Sequence, residues 1–371
     1  MTVTKGLEGI VATTSSISSI IDGVLTYRGI DIDDLGVNAS YEEVVHLLWY
    51  GKLPNRSELA NLHTQLSTNA EIPADLIEMI KTAPKGVHPM TALRTFVSAL
   101  AMYDDEANEM SKEANLRKAI RLQAKLPTII AAFSRARQGL EVVAPLADAT
   151  VAENFLYMLT GKKPDPIAIN ALDKALVLHA DHELNASTFA GRVTVATLSD
   201  IYSGVVSAIG ALKGPLHGGA NEAVMAMLEE IGSEENVVPY VQNKLDNKEK
   251  IMGFGHRVYK NGDPRAPHLQ KMSKELTTIT GNAKFYNMSV KIEELVTGQK
   301  GLKPNVDFYS ASVYTSLEIP RDIFTPIFAI SRVSGWTAHI IEQYENNRLI
   351  RPRAEYTGPV NQKYIPIDQR K

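Results

Sequence analysis

One histidine in this sequence lies in a glycine-rich turn directly before an apolar segment with helical spacing. The turn reads Gly-Pro-Leu-His-Gly-Gly-Ala-Asn over residues 214–221, and its histidine is His217. A helix that begins near Asn221 directs its unpaired N–H groups and its positive dipole end towards this turn. An imidazole placed there resists protonation and is suited to donate a neutral hydrogen bond to a developing oxyanion. The segment therefore predicts a site that polarises a carbonyl group.

Two further segments place reactive side chains at the edges of loops. Gly-Phe-Gly-His over residues 253–256 presents the imidazole of His256 beside exposed backbone N–H groups. Pro-Asn-Val-Asp-Phe-Tyr over residues 304–309 places the lone carboxylate of Asp307 in an apolar, aromatic run. Burial raises the pKa of a carboxyl group, so Asp307 could become a base strong enough to take a carbon-bound proton. Taken singly, residues 253–256 are as typical of a hairpin turn as of a functional site. Asp307, taken alone, would most often be a helix N-cap.

The remaining candidates are a histidine pair and several arginines. His179 and His182 are three residues apart, and such histidines are most often buried and satisfied by backbone carbonyls. A metal site is the weaker interpretation, because no regular pattern of carboxylates accompanies the pair. Arg332 and the basic run at 348–353 offer planar guanidinium groups suited to bidentate carboxylate binding. A basic run of this kind is also typical of a solvated surface.

Length and composition limit the classes of protein that fit. A chain of 371 residues favours two domains, and 44% hydrophobic with 22% charged residues is ordinary for a globular enzyme. The net charge of -3 gives no basic surface for nucleic acid, and the lack of cysteine excludes disulfides and thiolate nucleophiles. No run approaches the roughly 18 apolar residues of a membrane span, and residues 1–21 lack the layout of a signal peptide. We expect a cytoplasmic enzyme with neither a nucleic-acid nor a membrane partner.

The elements that must position these side chains read almost entirely as helices. A helix over residues 41–50 follows the N-cap Ser40 and ends at Gly51. Residues 188–212 carry very little charge and read as one buried helix. The predicted fold class is mainly α. Further helices are predicted at 74–82, 92–103, 111–139 with an interruption near Pro127, 153–159 and 171–179, and strands at 11–21, 24–27 and near Ile251 and Tyr356.

Three of these motifs, taken in their order along the chain, closely resemble the citrate synthase family. They are the segments around His217, His256 and Asp307. The segments at 179–187 and 347–353 resemble the family too, so the resemblance covers essentially the whole chain. The length suits the short bacterial and archaeal form, which lacks the extra N-terminal domain of the longer bacterial form.

The resemblance implies a two-domain helical fold with a few short N-terminal strands. A large helical domain would comprise residues 1–218 and 319–371 and would form the interface of a homodimer. A small helical domain would comprise residues 219–318. The hinges between the two domains would lie at 218–219 and at 319–320.

The resemblance also implies an activity, the condensation of acetyl-CoA with oxaloacetate followed by hydrolysis of citryl-CoA to citrate and CoA. In this scheme Asp307 takes a proton from the acetyl methyl group, neutral His217 stabilises the enol, and His256 binds the ketone of oxaloacetate. No metal and no redox cofactor is implied. Oxaloacetate binding is assigned to His179, His182, Arg265, Arg332 and Arg351, of which Arg351 reaches the neighbouring subunit's site, and CoA binding to Lys250, Gly253, Gly255, Arg257 and Asn305.

Three alternatives remain open from the sequence. A 2-methylcitrate synthase shares this chemistry with propionyl-CoA, and one extra methylene is worth only ~1–3 kcal/mol of discrimination. A catalytically silent, ligand-binding dimer would need the arginines but not the base, so His217, His256 and Asp307 together argue against it. A histidine-rich metalloprotein is disfavoured for the reason given above.

Overall fold

The computed structural model describes residues 4–7, 9–256, 258–259 and 261–370. Within these ranges the chain forms sixteen α-helices and one three-stranded sheet, so the predicted mainly α fold with a few short N-terminal strands is confirmed. The helices are α1 (Ile32–Asn38), α2 (Tyr41–Tyr50), α3 (Arg56–Thr68), α4 (Ala74–Thr82), α5 (Pro89–Leu100), α6 (Lys112–Arg137), α7 (Val151–Thr160), α8 (Pro166–His179), α9 (Ala186–Val195), α10 (Ile201–Leu212), α11 (Ala220–Ile231), α12 (Val237–Asp246), α13 (Ala266–Thr280), α14 (Lys284–Lys300), α15 (Val306–Ser316) and α16 (Phe324–Glu345).

The sheet is a small antiparallel meander that supports the end of α8. Its strands are β1 (Ser18–Ile21), β2 (Val24–Tyr27) and β3 (Ile30–Asp31), and β2 lies in the middle. The buried Tyr27 hydroxyl donates to the carbonyl of Asp181 at 3.0 Å. The sheet therefore fixes the backbone that leads from α8 to the second predicted site histidine.

Local sequence signals account for several helix ends. Ser40 and Glu43 form a reciprocal capping box at the start of α2, which satisfies two of its unpaired N–H groups. The same helix ends at Gly51, whose φ of 77° is the left-handed conformation that glycine adopts without strain. Both ends of this helix were predicted and are confirmed.

Two predicted helix boundaries are wrong. The helix α6 continues through Pro127, because its buried neighbours Leu126 and Ile129 hold both halves in the core and packing outweighs the lost hydrogen bond. The predicted single helix over 188–212 is two helices, α9 and α10. Asp200 begins the second one by accepting a hydrogen bond from the N–H of Ser203 at 2.9 Å.

Most of the predicted strand outside the meander is absent. Only residues 18–21 of the predicted strand at 11–21 are in the sheet. Near Ile251 the chain forms only an isolated bridge between Phe254 and Pro304, and Tyr356 lies in irregular structure. A strand needs a partner along its length, and these segments have none among the described residues.

Helix α16 lies at the centre of the core. It packs against α2, α6, α8, α9 and α10. Its side chains are buried over almost its whole length, and Arg332 and Trp336 are each 1% exposed. A charged side chain in such a position needs a functional or structural reason.

Helices α11 to α15 pack mainly on one another and meet the rest of the chain along α16, α8 and α1. The division at residues 219–318 and its two hinges stay predictions. At the first of them, a Cβ on Gly218 would lie 2.6 Å from the carbonyl oxygen of Leu212, so only glycine fits this junction. In the part of the chain described, no helix has the length and apolar character needed to cross a membrane.

Candidate active site

His217 lies in the turn that joins α10 to α11. Its Nε2 accepts a hydrogen bond from the backbone N–H of Ser187 at 3.3 Å and lies 2.8 Å from the Ser187 hydroxyl. A nitrogen that accepts a backbone hydrogen bond carries no proton, so the ring proton is on Nδ1. Burial, assisted by the charge of Arg332, lowers the pKa of His217 to about 4. The ring is neutral near pH 7 and has one N–H to donate, as predicted for a carbonyl-polarising group.

Sequence reasoning missed the side chains that hold His217 in place. Ser187 lies in the first turn of α9, and its hydroxyl accepts a hydrogen bond from Nε1 of Trp336 at 3.0 Å. Asn185 caps the same helix and accepts the Ser187 N–H at 3.1 Å. The Asn-Ala-Ser sequence indicates a helix start, but nothing in it shows that this start faces a histidine 30 residues later.

His256 has the opposite tautomer. Its Nδ1 accepts hydrogen bonds from the backbone N–H groups of Val258 at 3.0 Å and Tyr259 at 3.3 Å. The ring proton is therefore on Nε2. Burial and the charge of Arg265 lower the pKa of His256 to about 4. This imidazole is also a neutral donor.

The loop before His256 runs closely against α15 and α11. Gly253 has a φ of 81°, and a Cβ there would lie 2.8 Å from side-chain atoms of both Phe308 and Val224. Its carbonyl accepts the N–H of Asn305 at 2.9 Å. Glycine is required at this position because the backbone itself packs on the neighbouring helices.

Asp307 lies in the first turn of α15. Its Oδ1 is buried, and no donor in the described part of the chain lies within hydrogen-bond distance of it. Burial raises the pKa of Asp307 to about 7, although the charges of Arg265 and Arg332 oppose the change. A helix N-terminus also favours the ionised form, so desolvation is the dominant effect here. The carboxyl group has the strength predicted for a general base near neutral pH.

The predicted histidine pair at the end of α8, His179, and in the loop after it, His182, occupies two different environments. His182 Nε2 lies 2.9 Å from the hydroxyl of Tyr259, and its ring centre lies 5.3 Å from that of His256. His179 Nδ1 donates to the carbonyl of Ala175 at 2.7 Å, which leaves Nε2 unprotonated and buried, with no donor near it among the described residues. Burial lowers the pKa of His179 to about 3. His182 thus joins the His256 cluster, and His179 presents a lone pair to the interior.

Arg265 is held by a carboxylate that sequence reasoning did not assign to the site. Its Nε and Nη2 donate to the two oxygens of Asp263 at 2.9 and 2.8 Å. The pKa of Arg265 is raised above its usual range, because this pairing outweighs burial. Asp263 and Arg265 are two residues apart in the motif Asp-Pro-Arg, and this spacing was the only sequence signal for their pairing.

Arg332 has no such partner. In the described ranges no carboxylate lies within ion-pair distance of its guanidinium group, and its Nε donates to the carbonyl of His179 at 2.7 Å. Burial lowers the pKa of Arg332 to about 10. The guanidinium carbon lies 4.7 Å from the ring centre of Phe328, and the rings of His179 and His217 lie 4.9 and 6.4 Å from that of Phe328.

A cleft of about 750 Å³ opens beside His217. Four of the five residues predicted to bind CoA line it, and its walls combine apolar side chains with three lysines. Arg257, the fifth, lies outside the described residues. The lining residues that bear on the prediction are Lys250, Gly253, Gly255 and Asn305, together with the additional cations Lys248 and Lys300.

The side chain of Asn305 is engaged at both ends. Its Nδ2 donates to the carbonyl of Gly255 at 2.9 Å, and its Oδ1 accepts the N–H of Asp307 at 3.1 Å. This residue therefore ties the loop of His256 to the helix of Asp307, a positioning task that the sequence did not indicate.

Arg351 is the predicted site residue that the single chain does not bring to the others. It is exposed in the irregular segment after α16. A metal site finds no support in the described ranges, where no group of three or more histidine, aspartate or glutamate side chains is arranged to hold an ion.

The assembled groups favour proton abstraction next to a carbonyl of an anionic substrate. Two neutral imidazoles offer donors of complementary tautomer, and one buried carboxyl group titrates near neutral pH. Two buried arginines supply cationic hydrogen-bond donors. This is the set of groups that enolisation and attack on a second carbonyl require.

Proteins similar to this chain in sequence or fold include citrate synthases and a 2-methylcitrate synthase. Residues 6–353 match the family described as "Citrate synthase, C-terminal domain". Citrate synthase 2 of Bacillus subtilis is 65% identical over 371 residues, and the match covers 100% of this chain and 100% of that protein. The 2-methylcitrate synthase 2 of Corynebacterium glutamicum is 43% identical over 375 residues, and the match covers 99% of this chain and 98% of that protein. Citrate synthase of Thermoplasma acidophilum, solved as a ternary complex with carboxymethyl coenzyme A and oxaloacetate, is 36% identical, with a TM-score of 0.92 and complete coverage of both chains. This chain belongs to the citrate synthase family.

Proposed function

We propose that this enzyme condenses acetyl-CoA with oxaloacetate and hydrolyses the resulting citryl-CoA to citrate and CoA. The observation that carries the proposal is the buried carboxyl group of Asp307: burial raises its pKa to about 7, and its Oδ1 has no hydrogen-bond donor among the described residues. A structural N-cap would be ionised and hydrogen-bonded, whereas a base for a weakly acidic carbon needs a raised pKa and an open lone pair.

Enolisation is the first chemical step. Asp307 removes a proton from the acetyl methyl group, and Nδ1–H of His217 donates a hydrogen bond to the thioester oxygen as negative charge develops there. His217 can hold this proton in place because Ser187 occupies its Nε2. A neutral imidazole loses no proton to solvent in the ground state, so the donor is present at every turnover.

Carbon–carbon bond formation follows. Nε2–H of His256 donates to the ketone oxygen of oxaloacetate and passes its proton to that oxygen as the enol carbon attacks. Arg265 and Arg332 bind the two carboxylates, and His182 and His179 complete the oxaloacetate pocket. Water then cleaves the thioester of citryl-CoA and releases the CoA thiol.

The CoA moiety is assigned to the 750 Å³ cleft. Its apolar wall suits the pantetheine arm, and the ammonium groups of Lys250 and its neighbours suit the phosphates. Gly253, Gly255, Arg257 and Asn305 remain the further proposed contacts. The chemistry needs no metal or redox cofactor, because enolisation here depends on a carboxylate and neutral hydrogen-bond donors.

We further infer that the working form is a cytoplasmic homodimer. The segment after α16 exposes large apolar side chains, and exposed apolar surface of this extent favours contact with another chain. Arg351 lies in that segment and would reach the neighbouring oxaloacetate site. Closure of residues 219–318 about the two hinges would then exclude water from the enol. The exposed side chains are Leu349, Tyr356, Val360, Tyr364, Ile365 and Ile367.

The deciding experiment is release of free thiol by the purified protein with oxaloacetate, with acetyl-CoA and propionyl-CoA compared at matched concentrations. We expect faster turnover of acetyl-CoA, in keeping with the higher identity to the relative named citrate synthase than to the one named 2-methylcitrate synthase. A preference for propionyl-CoA would assign 2-methylcitrate synthase. No thiol release with either would leave the ligand-binding dimer.

A further inference from the structure

Asp263 is a buried carboxylate that the catalytic scheme does not use. Its side chain is fully buried, and the residue is 3% exposed. Oδ1 accepts hydrogen bonds from the N–H and Nε of Arg265 at 3.1 and 2.9 Å. Oδ2 accepts hydrogen bonds from Nη2 of Arg265 at 2.8 Å and from the backbone N–H of Val306 at 3.0 Å. One carboxylate thus joins two parts of the site that are 41 residues apart in sequence.

The second of these bonds reaches the helix of the base. Val306 is the first residue of α15, and Asp307 follows it directly. Because an N-terminal N–H has no partner inside its own helix, the Asp263 carboxylate replaces the missing acceptor. A shift of Arg265 that moves Asp263 therefore also moves the start of α15, and with it the carboxyl group of Asp307.

We propose that Asp263 is a positioning residue that couples oxaloacetate binding at Arg265 to the placement of the base Asp307. The inference rests on the function proposed above. It explains why a substrate-binding arginine carries a permanent carboxylate partner although such a pair weakens its attraction for substrate. Asp263 fixes the guanidinium group of Arg265. Through the N–H of Val306 it also links that group to α15, the helix that bears the base Asp307.

The charges around the base support the same role. The charges of Arg265, Asp263 and Arg332 all act on the Asp307 carboxyl group. The arginines lower the pKa of Asp307, and Asp263 raises it. By offsetting Arg265, Asp263 helps Asp307 to keep the affinity for a proton that it needs as a base.

The first test is Asp263→Asn. The amide keeps the size of the side chain, removes its charge and leaves at least one of its donors without an acceptor. We expect the KM for oxaloacetate to rise and kcat to fall, together lowering kcat/KM roughly 10- to 100-fold, as expected for hydrogen bonds to a charged group. The acidic limb of the pH profile should move to lower pH, because Arg265 then acts on Asp307 without an opposing charge.

Glu42→Gln is the matched control. Glu42 is also buried, at 3% exposure, and also accepts the first N–H of a helix, that of Val151 in α7 at 2.8 Å. Among the described residues no arginine pairs with Glu42, and Glu42 lies outside the site. We expect this variant to change thermal stability but to leave the KM for oxaloacetate and the pH profile as they are in the wild type.

The second test removes the coupling bond and leaves the pairing of Asp263 with Arg265 in place. Val306→Pro deletes the N–H that Asp263 accepts, and proline is favoured at the first position of a helix. The preceding Asn305 has a φ of -102° and a ψ of -179°, an extended conformation compatible with a following proline. We expect oxaloacetate affinity, measured by calorimetry, to stay near the wild-type value while kcat falls roughly tenfold, the loss of one hydrogen bond to a charged group.

The outcomes separate the coupling from its alternatives. If folded Asp263→Asn keeps the wild-type KM and pH profile, Asp263 is only a structural cap and the inference is overturned. If Val306→Pro weakens oxaloacetate binding without lowering kcat, or changes neither, Asp263 braces Arg265 alone, and this also overturns it. Should Asp263→Asn not fold, Val306→Pro decides by itself. A wild-type enzyme that binds oxaloacetate but releases no thiol would instead contradict the proposed function.

Discussion

The two buried arginines of the site lie in contrasting surroundings. Arg265, next to the start of α13, is paired through two hydrogen bonds with Asp263. Arg332, in the middle of α16, is 1% exposed and has no ion-pair partner among the described residues. Burial acts on both cations, yet the pKa of Arg265 is raised and that of Arg332 falls to about 10. The difference comes from the single carboxylate.

In the proposed oxaloacetate site, a paired and an unpaired arginine would perform different tasks. The paired guanidinium of Arg265 is fixed before substrate arrives and can hold other groups in register. The guanidinium of Arg332 has a desolvation cost that the charge of Asp181 offsets only in part, and a substrate carboxylate would relieve the rest. Substrate binding is therefore worth more at the α16 side, and catalytic geometry depends more on the side formed by α13 and α15.

The largest effect should come from the base on the α15 side. Asp307→Asn removes the proton acceptor without changing size, and we expect kcat to fall by ~10²–10⁴, the usual contribution of a positioned general base. Oxaloacetate binding, measured by calorimetry, should persist, because the arginines remain. Loss of both activity and oxaloacetate binding would show that Asp307 has a structural role and is not the catalytic base.

Matched substitutions of Arg265 and Arg332 test most directly whether the paired and the unpaired arginine differ. Arg265→Met leaves Asp263 as an unpaired buried charge, so we expect a loss of about 3–5 kcal/mol in the free energy of unfolding. Arg332→Met removes an unpaired charge and one hydrogen bond, so its effect on unfolding without ligand should stay within about 1 kcal/mol. Denaturant unfolding with and without oxaloacetate checks both. Equal losses would mean that Arg332 has a structural partner, and its distinct role would have to be abandoned.

The contrast between these sides also marks what the sequence could predict. Local signals sufficed for helices such as α2, whose cap, capping box and terminal glycine are all within twelve residues. They failed where distant packing decides. Pro127 stays inside α6 because buried neighbours hold the helix on both sides, and the break between α9 and α10 lets two helices pack through Gly191 and Gly204.

The candidate site shows the same limit. His217, His256 and Asp307 were predicted because each occurs in a distinctive short motif. Ser187 and Trp336 were missed. Ser187 contacts His217, and Trp336 donates to Ser187; both contacts join segments that are distant in sequence, so no short motif contains them. A short motif indicated the reactive side chains, whereas the group that sets the tautomer of His217 comes from a distant part of the folded core.

Arg351 extends the comparison to a third arginine, which is exposed in the single chain. If it completes the oxaloacetate site of a second subunit, Arg351→Ala should raise the KM for oxaloacetate by roughly 10- to 100-fold, the value of a charge-assisted contact. Unfolding of each chain should change little, because the side chain of Arg351 is exposed. Mixing this variant with inactive Asp307→Asn protein should restore partial activity if the site is shared between chains. An unchanged KM would refute the shared site.

The smallest expected effect is on the acidic limb of the pH profile. This limb tests whether Asp307 or one of the two histidines titrates. The catalytic form of Asp307 is the carboxylate, and its pKa is raised to about 7. Activity should therefore be retained above this pH and lost as pH falls through it, with kcat/KM decreasing about tenfold per pH unit below the limb. His217 and His256, with pKa values lowered to about 4, stay neutral across this range and add no second proton. A slope of two protons between pH 5 and pH 7, by contrast, would show that a histidine titrates with the base and that burial does not keep both imidazoles neutral.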